Sequence, residues 1–313
     1  MKSSDMQQES PYERCIFCGK SKEEFDKNND WSEEHIIPNA LGNESLKIYN
    51  VCKRCNSGLG TYVDNYFVNH MFLKIIRENL GLKGQNGKIP NAFREGKDKD
   101  GNRIRVDENY QPTIVPRIER HGNTERIVAS SKAEIKKMLQ KKLIRMDKSE
   151  QEITDILNKV DQTKSLFSQP EIHYDITIEF HRFFLEALKI AFEYAIYKFG
   201  SDYLKDSRAI EIQQYLKNAI DGKMKKECVG LSGVSFIQGE VLKEALKKIK
   251  WNCHMIMIHP DSENKLIVEV ILFMEAALSF SVLISNDASQ FYNSSKDELV
   301  DIIEIKQNTK GKP

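Results

Sequence analysis

Apolar residues recur at intervals of three and four along residues 53–80 of the sequence. Positions at this spacing share one face of an α-helix, whose period is about 3.6 residues. The pattern predicts one helix over residues 53–80, and Gly81 is the residue expected to end it. The residues that would form its apolar face are Leu59, Tyr62, Val63, Tyr66, Phe67, His70 and Leu73.

The remainder of the chain mixes helical periodicity with strand-like alternation of apolar and polar residues. Residues 181–200 are apolar around most of a helical circumference, which predicts a core helix. We therefore predict an α+β protein in which residues 1–82 form a small module and residues 83–313 a larger mixed α/β domain. The other elements predicted after residue 82 are hairpin turns at Asp100-Gly101 and His121-Gly122-Asn123, a helix beginning at Ser131, helices over 149–160 and 207–220, a strand over 172–180, and two or three strands within 252–260, 265–273 and 278–285.

The composition is that of an ordinary globular protein, with 40% hydrophobic and 30% charged residues. No apolar run approaches the roughly 18–20 residues that cross a membrane. The first ten residues also lack the apolar core of a signal peptide. We therefore expect a cytoplasmic protein without a membrane segment.

Charge is distributed unevenly, although the formal net charge is only +1. Residues 81–160 contain 18 lysines and arginines against 12 aspartates and glutamates. Lys136, Lys137 and Lys141 lie on one predicted helix and are candidates for contacts with DNA phosphates. The same spacing is typical of a solvated helix face, and the sequence leaves both interpretations open.

Four of the six cysteines form two Cys-x-x-Cys pairs, Cys15 with Cys18 and Cys52 with Cys55. In a reducing compartment this spacing indicates metal ligands rather than disulfides. Four thiolates arranged tetrahedrally are the ligands of a structural zinc site, which leaves no coordination position for a substrate. We therefore expect zinc (Zn²⁺) to stabilise the module without taking part in catalysis. The alternative is four unrelated buried cysteines.

Two segments around these cysteines carry a resemblance to a known family. Residues 31–43 read WSEEHIIPNALGN, and residues 48–60 read IYNVCKRCNSGLG. Together they resemble the HNH endonuclease family, in the subgroup that braces the ββα-metal fold with two Cys-x-x-Cys knuckles. The resemblance covers about residues 12–65. It implies a zinc-braced ββα-metal module that hydrolyses DNA with the help of a divalent cation.

The resemblance implies a role for each matching residue. Glu34 and Asn56 would hold the catalytic cation, and Asn50 would orient His35. An acidic and an amide oxygen, completed by water, suit Mg²⁺ or Mn²⁺ better than zinc. Phosphodiester hydrolysis also requires removal of a proton from water, for which a neutral His35 is a suitable general base. Taken singly, the same residues also fit a buried histidine, a surface acid and a helix N-cap.

One position departs from the family pattern. Many members carry a further histidine one helical turn after the residue that Asn56 matches, and this chain has Gly60 there. Asp64 and His70 lie further along the same predicted helix and are candidate additional ligands. Both residues fit structural roles equally well.

A second group, Cys253, His254 and His259, also suggests metal ligands. Cys253 and His254 would face opposite sides of a strand, and no fourth ligand is evident. We therefore interpret this group as part of the core.

These observations predict a metal-dependent DNA endonuclease whose active site lies in residues 1–82. Because an unregulated nuclease is toxic to its own cell, residues 83–313 would provide specificity, sensing or oligomerisation. A small-molecule or protein activator and a homodimer fit that role. The HNH module resembles those joined to sensor domains in bacterial anti-phage systems, and this resemblance implies an anti-phage or restriction nuclease used in antiviral defence. The alternative is a non-catalytic zinc-binding module that contacts nucleic acid or protein through a decayed HNH core.

Overall fold

The structure is a computed structural model that describes residues 13–122, 124–163, 171–224, 233–237, 252–292 and 299–306. The chain divides into two compact units, one formed by residues 1–90 with 178–313 and the other by residues 91–177. The predicted boundary after residue 82 does not coincide with this division, because the carboxyl-terminal residues share a unit with the amino-terminal ones.

The amino-terminal part of the first unit contains a two-stranded hairpin that leads directly into a helix. Strand β1 (Trp31–His35) pairs antiparallel with strand β2 (Lys47–Cys52). Helix α1 (Lys53–Leu59) begins at the residue that follows β2. The two strands and the helix give the ββα arrangement that the resemblance implies.

The single long helix predicted after the second cysteine pair is interrupted twice. A π-helical turn (Gly60–Asp64) follows α1 and leads into α2 (Asn65–Asn69). Helix α2 ends because His70 adopts an extended backbone with ψ of 144°, and α3 (Met71–Asn79) begins at the next residue. Nδ1 of His70 accepts a hydrogen bond of 3.4 Å from the N–H of Phe72, so His70 is the N-cap of α3. The apolar periodicity continues across this break and therefore does not reveal it.

The second unit contains a three-stranded antiparallel sheet, a separate two-stranded hairpin and two helices. The side chains of Ser131 and Ser149 cap the two helices, which confirms the predicted helix starts. Gly101 has a φ of 79°, a conformation that glycine adopts readily, in the predicted turn after the first strand. The elements of this unit are β3 (Glu95–Lys97), β4 (Arg103–Val106), β5 (Pro112–Ile114), β6 (Arg117–His121), β7 (Thr124–Val128), α4 (Lys132–Arg145) and α5 (Glu150–Asp161).

The strand predicted over residues 172–180 is wrong. His173 forms only an isolated bridge with Lys97, and helix α6 (Phe180–Phe199) begins at the end of the predicted strand. Ile176, which the alternating pattern places on a sheltered face, is 45% exposed. The alternation of apolar and polar residues therefore does not mark a face that packs on a sheet here.

The carboxyl-terminal part of the first unit places helices against a five-stranded antiparallel sheet. Helix α6 is the predicted core helix, and 13 of its 20 residues are buried. The remaining elements are α7 (Ser207–Ile220), β8 (Val234–Phe236), β9 (Cys253–Pro260), β10 (Leu266–Ile271), β11 (Ser279–Ser285) and β12 (Val300–Glu304). The strand order in the sheet is β12-β9-β10-β11-β8. The prediction of α7 is confirmed, and all three segments in which two or three strands were predicted form strands, β9, β10 and β11.

One hydrophobic core extends through both parts of the first unit. Phe17 lies between Cys15 and Cys18, and the centroid of its ring is 5.7 Å from that of Phe192 in α6. The helices and sheets of the chain confirm the predicted mixed α/β fold, in which a small amino-terminal ββα module precedes a larger carboxyl-terminal part. Among the residues that the structure describes, no helix has the length and apolar character needed to span a membrane.

Candidate active site and metal centre

The four paired cysteines converge on one point, as their spacing predicts. Their sulfur atoms all lie within 4.8 Å of one another, and the Sγ atoms of Cys18 and Cys52 are 3.9 Å apart. Four sulfurs bound tetrahedrally at about 2.3 Å from zinc would be separated by roughly 3.8 Å. The donor set therefore fits a structural zinc ion.

Hydrogen bonds dock the first cysteine pair on strand β2. The N–H of Ile16 donates to the carbonyl of Asn50 at 3.1 Å, and the N–H of Cys52 donates to Sγ of Cys15 at 3.5 Å. A hydrogen bond from the Cys15 thiol lowers the pKa of Cys18 to about 6. A thiolate, the form that binds metal, is therefore accessible near neutral pH.

A β-bulge determines which side chains of β1 face the core. The register shifts between Ser32 and Glu34, so that two residues of β2 lie opposite Glu33 alone. Glu34 is buried, with 5% of its surface exposed. Glu33 and His35 share the opposite face, where their side chains are 43% and 20% exposed. The acidic residue on the face of His35 is therefore Glu33, which the sequence analysis did not single out.

The His35 ring lies half-buried at the surface of the hairpin. Its Nε2 is 3.3 Å from the side-chain nitrogen of Asn39 and 3.7 Å from Oε1 of Glu33. Burial lowers the pKa of His35 below its ordinary value, and the nearby Lys47 ammonium lowers it further. The ring is therefore neutral near pH 7 and can accept a proton.

Asn56 lies at the end of the first turn of α1, beside the bulged strand. Its Nδ2 donates a 2.7 Å hydrogen bond to the backbone carbonyl of Glu33, and its Oδ1 is the atom left for a cation. Asn50 is fully buried, and within the described part of the chain its side-chain nitrogen and oxygen have no hydrogen-bond partner. The amide that faces His35 belongs to Asn39, so the orienting role of Asn50 stays a prediction.

Asn43 stabilises the segment between the two strands, a role that the sequence pattern did not indicate. Its buried side chain donates to the carbonyls of Ile37 at 2.7 Å and Leu46 at 2.9 Å, and accepts from the N–H of Leu46 at 2.9 Å. Gly42 precedes it with a φ of 97°, a left-handed conformation that favours glycine. These contacts fix the turn that carries Asn39 towards His35.

Glu34 points into a buried group of charged side chains that the sequence analysis did not identify. Nζ of Lys189 lies 2.8 Å from Oε1 of Glu34. The same ammonium is 3.5 Å from Oδ1 of Asp64 and 3.5 Å from Oε2 of Glu193. Burial raises the pKa of Glu34 to about 7, although Lys189 opposes this shift. A sequence signal did exist, since Glu186, Lys189 and Glu193 recur at helical spacing within an otherwise apolar helix.

The two candidate additional ligands have different surroundings. Asp64 lies beside the same buried ammonium as Glu34, so the structure brings these two carboxylates together. His70 caps α3, and its ring packs edge-on against Phe183 with centroids 5.0 Å apart. A Cβ atom added to Gly60 would meet nothing within 4 Å, so space is open at this position.

The candidate DNA-contact lysines lie on α4 of the second unit. Lys136 forms an ion pair with Asp161 inside that unit. Lys137 and Lys141 are exposed and lie one helical turn apart. Of the three candidates, these two are the ones whose charge faces solvent.

Cys253 and His254 are buried core residues, whereas the side chain of His259 is partly exposed and lies 3.3 Å from Oε1 of Glu269. His254 is fully buried, and its Nδ1 accepts a 3.1 Å hydrogen bond from the N–H of Phe273. Its Nε2 therefore carries the proton and donates to the carbonyl of Leu41 at 3.0 Å. Because both ring nitrogens of His254 bond to the backbone, the interpretation of this histidine as a core residue is confirmed.

A comparison with known protein families matches residues 15–72 to the family described as HNH endonuclease. The matched segment begins at the first cysteine of the zinc cluster and ends within α3. No curated protein and no solved structure matches the chain. The matched segment contains the four-cysteine cluster and the ββα arrangement, together with Glu34, His35, Asn50 and Asn56. Residues 15–72 are therefore a domain of the HNH endonuclease family, joined in this chain to a larger carboxyl-terminal domain.

Proposed function

We propose that the protein is a metal-dependent endonuclease that hydrolyses phosphodiester bonds of DNA. The observation that carries this proposal is the match of residues 15–72 to HNH endonucleases, within which half-buried His35 lies on the partly exposed face of β1. The family implies a nucleic-acid substrate, and DNA is the one we propose.

His35 is the general base in this proposal. The neutral imidazole takes the proton of the attacking water, and the hydroxide formed attacks the phosphorus. The bond between phosphorus and the leaving sugar oxygen breaks, and this oxygen takes up a proton from solvent water. Nδ2 of Asn39 lies 3.3 Å from Nε2 of His35 and holds the ring in place. In the reaction, the attacking water would replace Asn39 as the hydrogen-bond donor to Nε2. The lowered pKa of His35 keeps the ring unprotonated at neutral pH, as the role requires.

Glu34 and Asn56 are the residues that would hold a divalent cation. Lys189 engages Oε1 of Glu34, so Oε2 is the oxygen that we assign to the cation. Asn56 would contribute Oδ1, because its Nδ2 is bonded to the backbone of Glu33. Hard oxygen donors suit Mg²⁺ or Mn²⁺, which when bound would neutralise charge that develops on the phosphate. Asp64 is a further candidate ligand, since it lies close to Glu34.

We also propose that the carboxyl-terminal domain controls this activity, in an anti-phage or restriction role. Support comes from the hydrophobic core that α6 shares with the HNH domain. Through this core, binding of a small molecule or protein to the carboxyl-terminal domain would change the packing of the active site. A homodimer would allow both strands to be cut by sites related by symmetry. Expression without any protection against phage, combined with indiscriminate cleavage by the purified protein alone, would contradict this control.

Incubation of supercoiled plasmid with the purified full chain tests the nuclease proposal. Nicked or linear DNA is expected with Mg²⁺ or Mn²⁺, and none with EDTA. Zinc content is measured in the same samples, so that loss of the structural metal is not mistaken for loss of the catalytic one. Cleavage that continues in EDTA would contradict the proposed cation.

Two adjacent substitutions provide a matched test of the cation ligand. Glu34→Gln and Glu33→Gln make the same chemical change on opposite faces of β1. We expect Glu34→Gln to lower the cleavage rate by about 100-fold or more. Glu33→Gln is expected to leave the rate close to that of the wild type. The opposite order of effects would assign the cation to Glu33.

Gly60 favours one alternative function. The resemblance to HNH endonucleases implies a further metal-binding histidine at this position, and Gly60 provides no side chain there although the space is open. A non-catalytic zinc-binding module would retain the four-cysteine cluster and bind nucleic acid or protein. A protein that binds zinc and DNA, yet cleaves under none of the metal conditions, would support this alternative.

A further inference from the structure

The buried ammonium of Lys189 contacts two consecutive residues of the strand that carries the candidate catalytic groups. Nζ donates to the backbone carbonyl of His35 at 3.0 Å and lies 2.8 Å from Oε1 of Glu34. Lys189 is 154 residues from His35 along the chain and lies outside the segment that matches the HNH family. A residue of the carboxyl-terminal domain thus holds both the backbone and a carboxylate of β1.

The ammonium of Lys189 is buried, so the contact carries an unfavourable free energy of desolvation. None of its side chain is exposed. An ammonium in a protein core must be compensated by opposite charge, and here Glu34, Asp64 and Glu193 surround it. Replacement of a buried ion pair by apolar residues of similar volume is often neutral or stabilising. Core stability alone is therefore an insufficient reason for a lysine at this position.

The rest of α6 shows what the helix needs for packing. Its other buried positions are apolar, and the charged ones form a stripe at Glu186, Lys189 and Glu193. Residues at these intervals share one helix face. Since Lys189 contacts Glu34 and Asp64, this stripe faces the HNH domain. The charged face of the helix therefore lies directly behind the proposed cation site.

We infer that Lys189 is a positioning residue for Glu34 and His35, so that the carboxyl-terminal domain completes the active site of the HNH domain. By holding Oε1 of Glu34, the ammonium directs the other carboxylate oxygen to the cation. By holding the carbonyl of His35, it fixes the backbone from which the imidazole extends. Hydrogen-bonded partners of metal ligands act in this way in many metal sites. The inference rests on the proposed nuclease function.

Lys189→Met in the full chain tests this inference, and Lys198→Met is the matched control. Lys198 lies on the same helix but pairs with Asp301 at 2.7 Å, away from the proposed site. Mn²⁺ affinity is measured by electron paramagnetic resonance without DNA, and plasmid cleavage under single-turnover conditions at saturating Mn²⁺. We expect Lys189→Met to weaken Mn²⁺ binding and to slow cleavage, each by about 10–100-fold. Zinc content and DNA affinity should stay unchanged, and Lys198→Met should match the wild type.

Two results for folded Lys189→Met protein would overturn the inference. Unchanged Mn²⁺ affinity and cleavage rate would show that Lys189 positions neither residue. Tighter Mn²⁺ binding would show that the ammonium competes with the cation for Glu34. The wild-type protein separates this question from the proposed function. If the wild type binds Mn²⁺ but cleaves no DNA, the nuclease proposal fails while the Mn²⁺ measurement still tests Lys189.

Circular dichroism and zinc analysis establish whether Lys189→Met is folded. If it is not, Lys189→Gln is measured in the same way. This variant keeps an N–H donor for the His35 carbonyl without the charge, and we expect a smaller loss in both measurements. If neither variant folds, Lys189 is a structural residue of the core and the inference is wrong.

Discussion

Protonation of His254 would disrupt a pair of hydrogen bonds that hold this histidine in the core. Its Nδ1 accepts the N–H of Phe273, and its Nε2 donates to the carbonyl of Leu41. A proton on Nδ1 would place two N–H groups against each other. Burial lowers the pKa of His254 to about 4, from an ordinary value of 6.5. The folded chain therefore keeps this ring neutral under conditions in which the unfolded chain protonates it.

This difference in pKa makes the free energy of unfolding depend on pH between pH 6.5 and pH 4. Within that window the unfolded chain binds a proton at His254 that the folded chain does not bind. The free energy of unfolding therefore falls by about 1.4 kcal/mol for each pH unit of acidification. Above pH 6.5 the contribution of His254 is fully present, and by pH 4 about 3 kcal/mol has been lost. Such a loss is a large share of the roughly 5–15 kcal/mol that stabilises a typical domain.

Urea denaturation followed by circular dichroism measures this effect in the wild type and in His254→Gln. Glutamine does not titrate, so the difference between the two proteins isolates His254. Contributions from buried carboxylic acids and from the release of zinc affect both proteins and cancel in that difference. The stability advantage of the wild type should shrink by about 3 kcal/mol as the pH falls from 6.5 to 4. A difference that does not change with pH would show that His254 does not stay neutral in the folded chain over this range.

Three further predictions concern the zinc cluster, a helix contact and a charged surface. Cys18→Ser should release zinc and lower the melting temperature, as followed by metal analysis and circular dichroism; full retention of zinc would contradict a four-thiolate site. Gly58→Ala should destabilise the fold by about 1–3 kcal/mol, because its Cβ would lie 2.5 Å from a side chain of α7. Gly60→Ala, which meets open space, should stabilise the fold by up to about 1 kcal/mol, and equal effects in urea denaturation would contradict the contact. Charge reversal at Lys137 and Lys141 should weaken DNA binding and lower its logarithmic salt slope by about 2, whereas an unchanged slope would assign both lysines to a solvated face.

The parts of the site that depend on local spacing could be predicted from the sequence. A Cys-x-x-Cys turn brings its two sulfurs together within a few residues, so the cluster followed from two such turns. The apolar helix ending at Gly200 could be predicted because its composition leaves it no stable position outside a core. The HNH segment could be predicted because its residues lie within one short stretch of chain.

The parts that depend on register or on distant contacts could not be predicted. Strand alternation indicates that Glu34 and His35 face opposite sides, but only the paired strands reveal the bulge opposite Glu33. The contact between Lys189 and His35 joins positions 154 residues apart, and no local pattern encodes such a separation. The break at His70 escaped detection because hydrophobic periodicity reports a shared core and not the continuity of a helix.

In the proposed nuclease, cleavage of DNA depends on His35 as the general base. Single-turnover plasmid cleavage with Mg²⁺ or Mn²⁺ is compared between zinc-loaded wild type and zinc-loaded His35→Ala. We expect the wild type to cleave and His35→Ala to be slower by about 100- to 10,000-fold, the usual contribution of a general base. Cleavage by His35→Ala at the wild-type rate would contradict this role of His35.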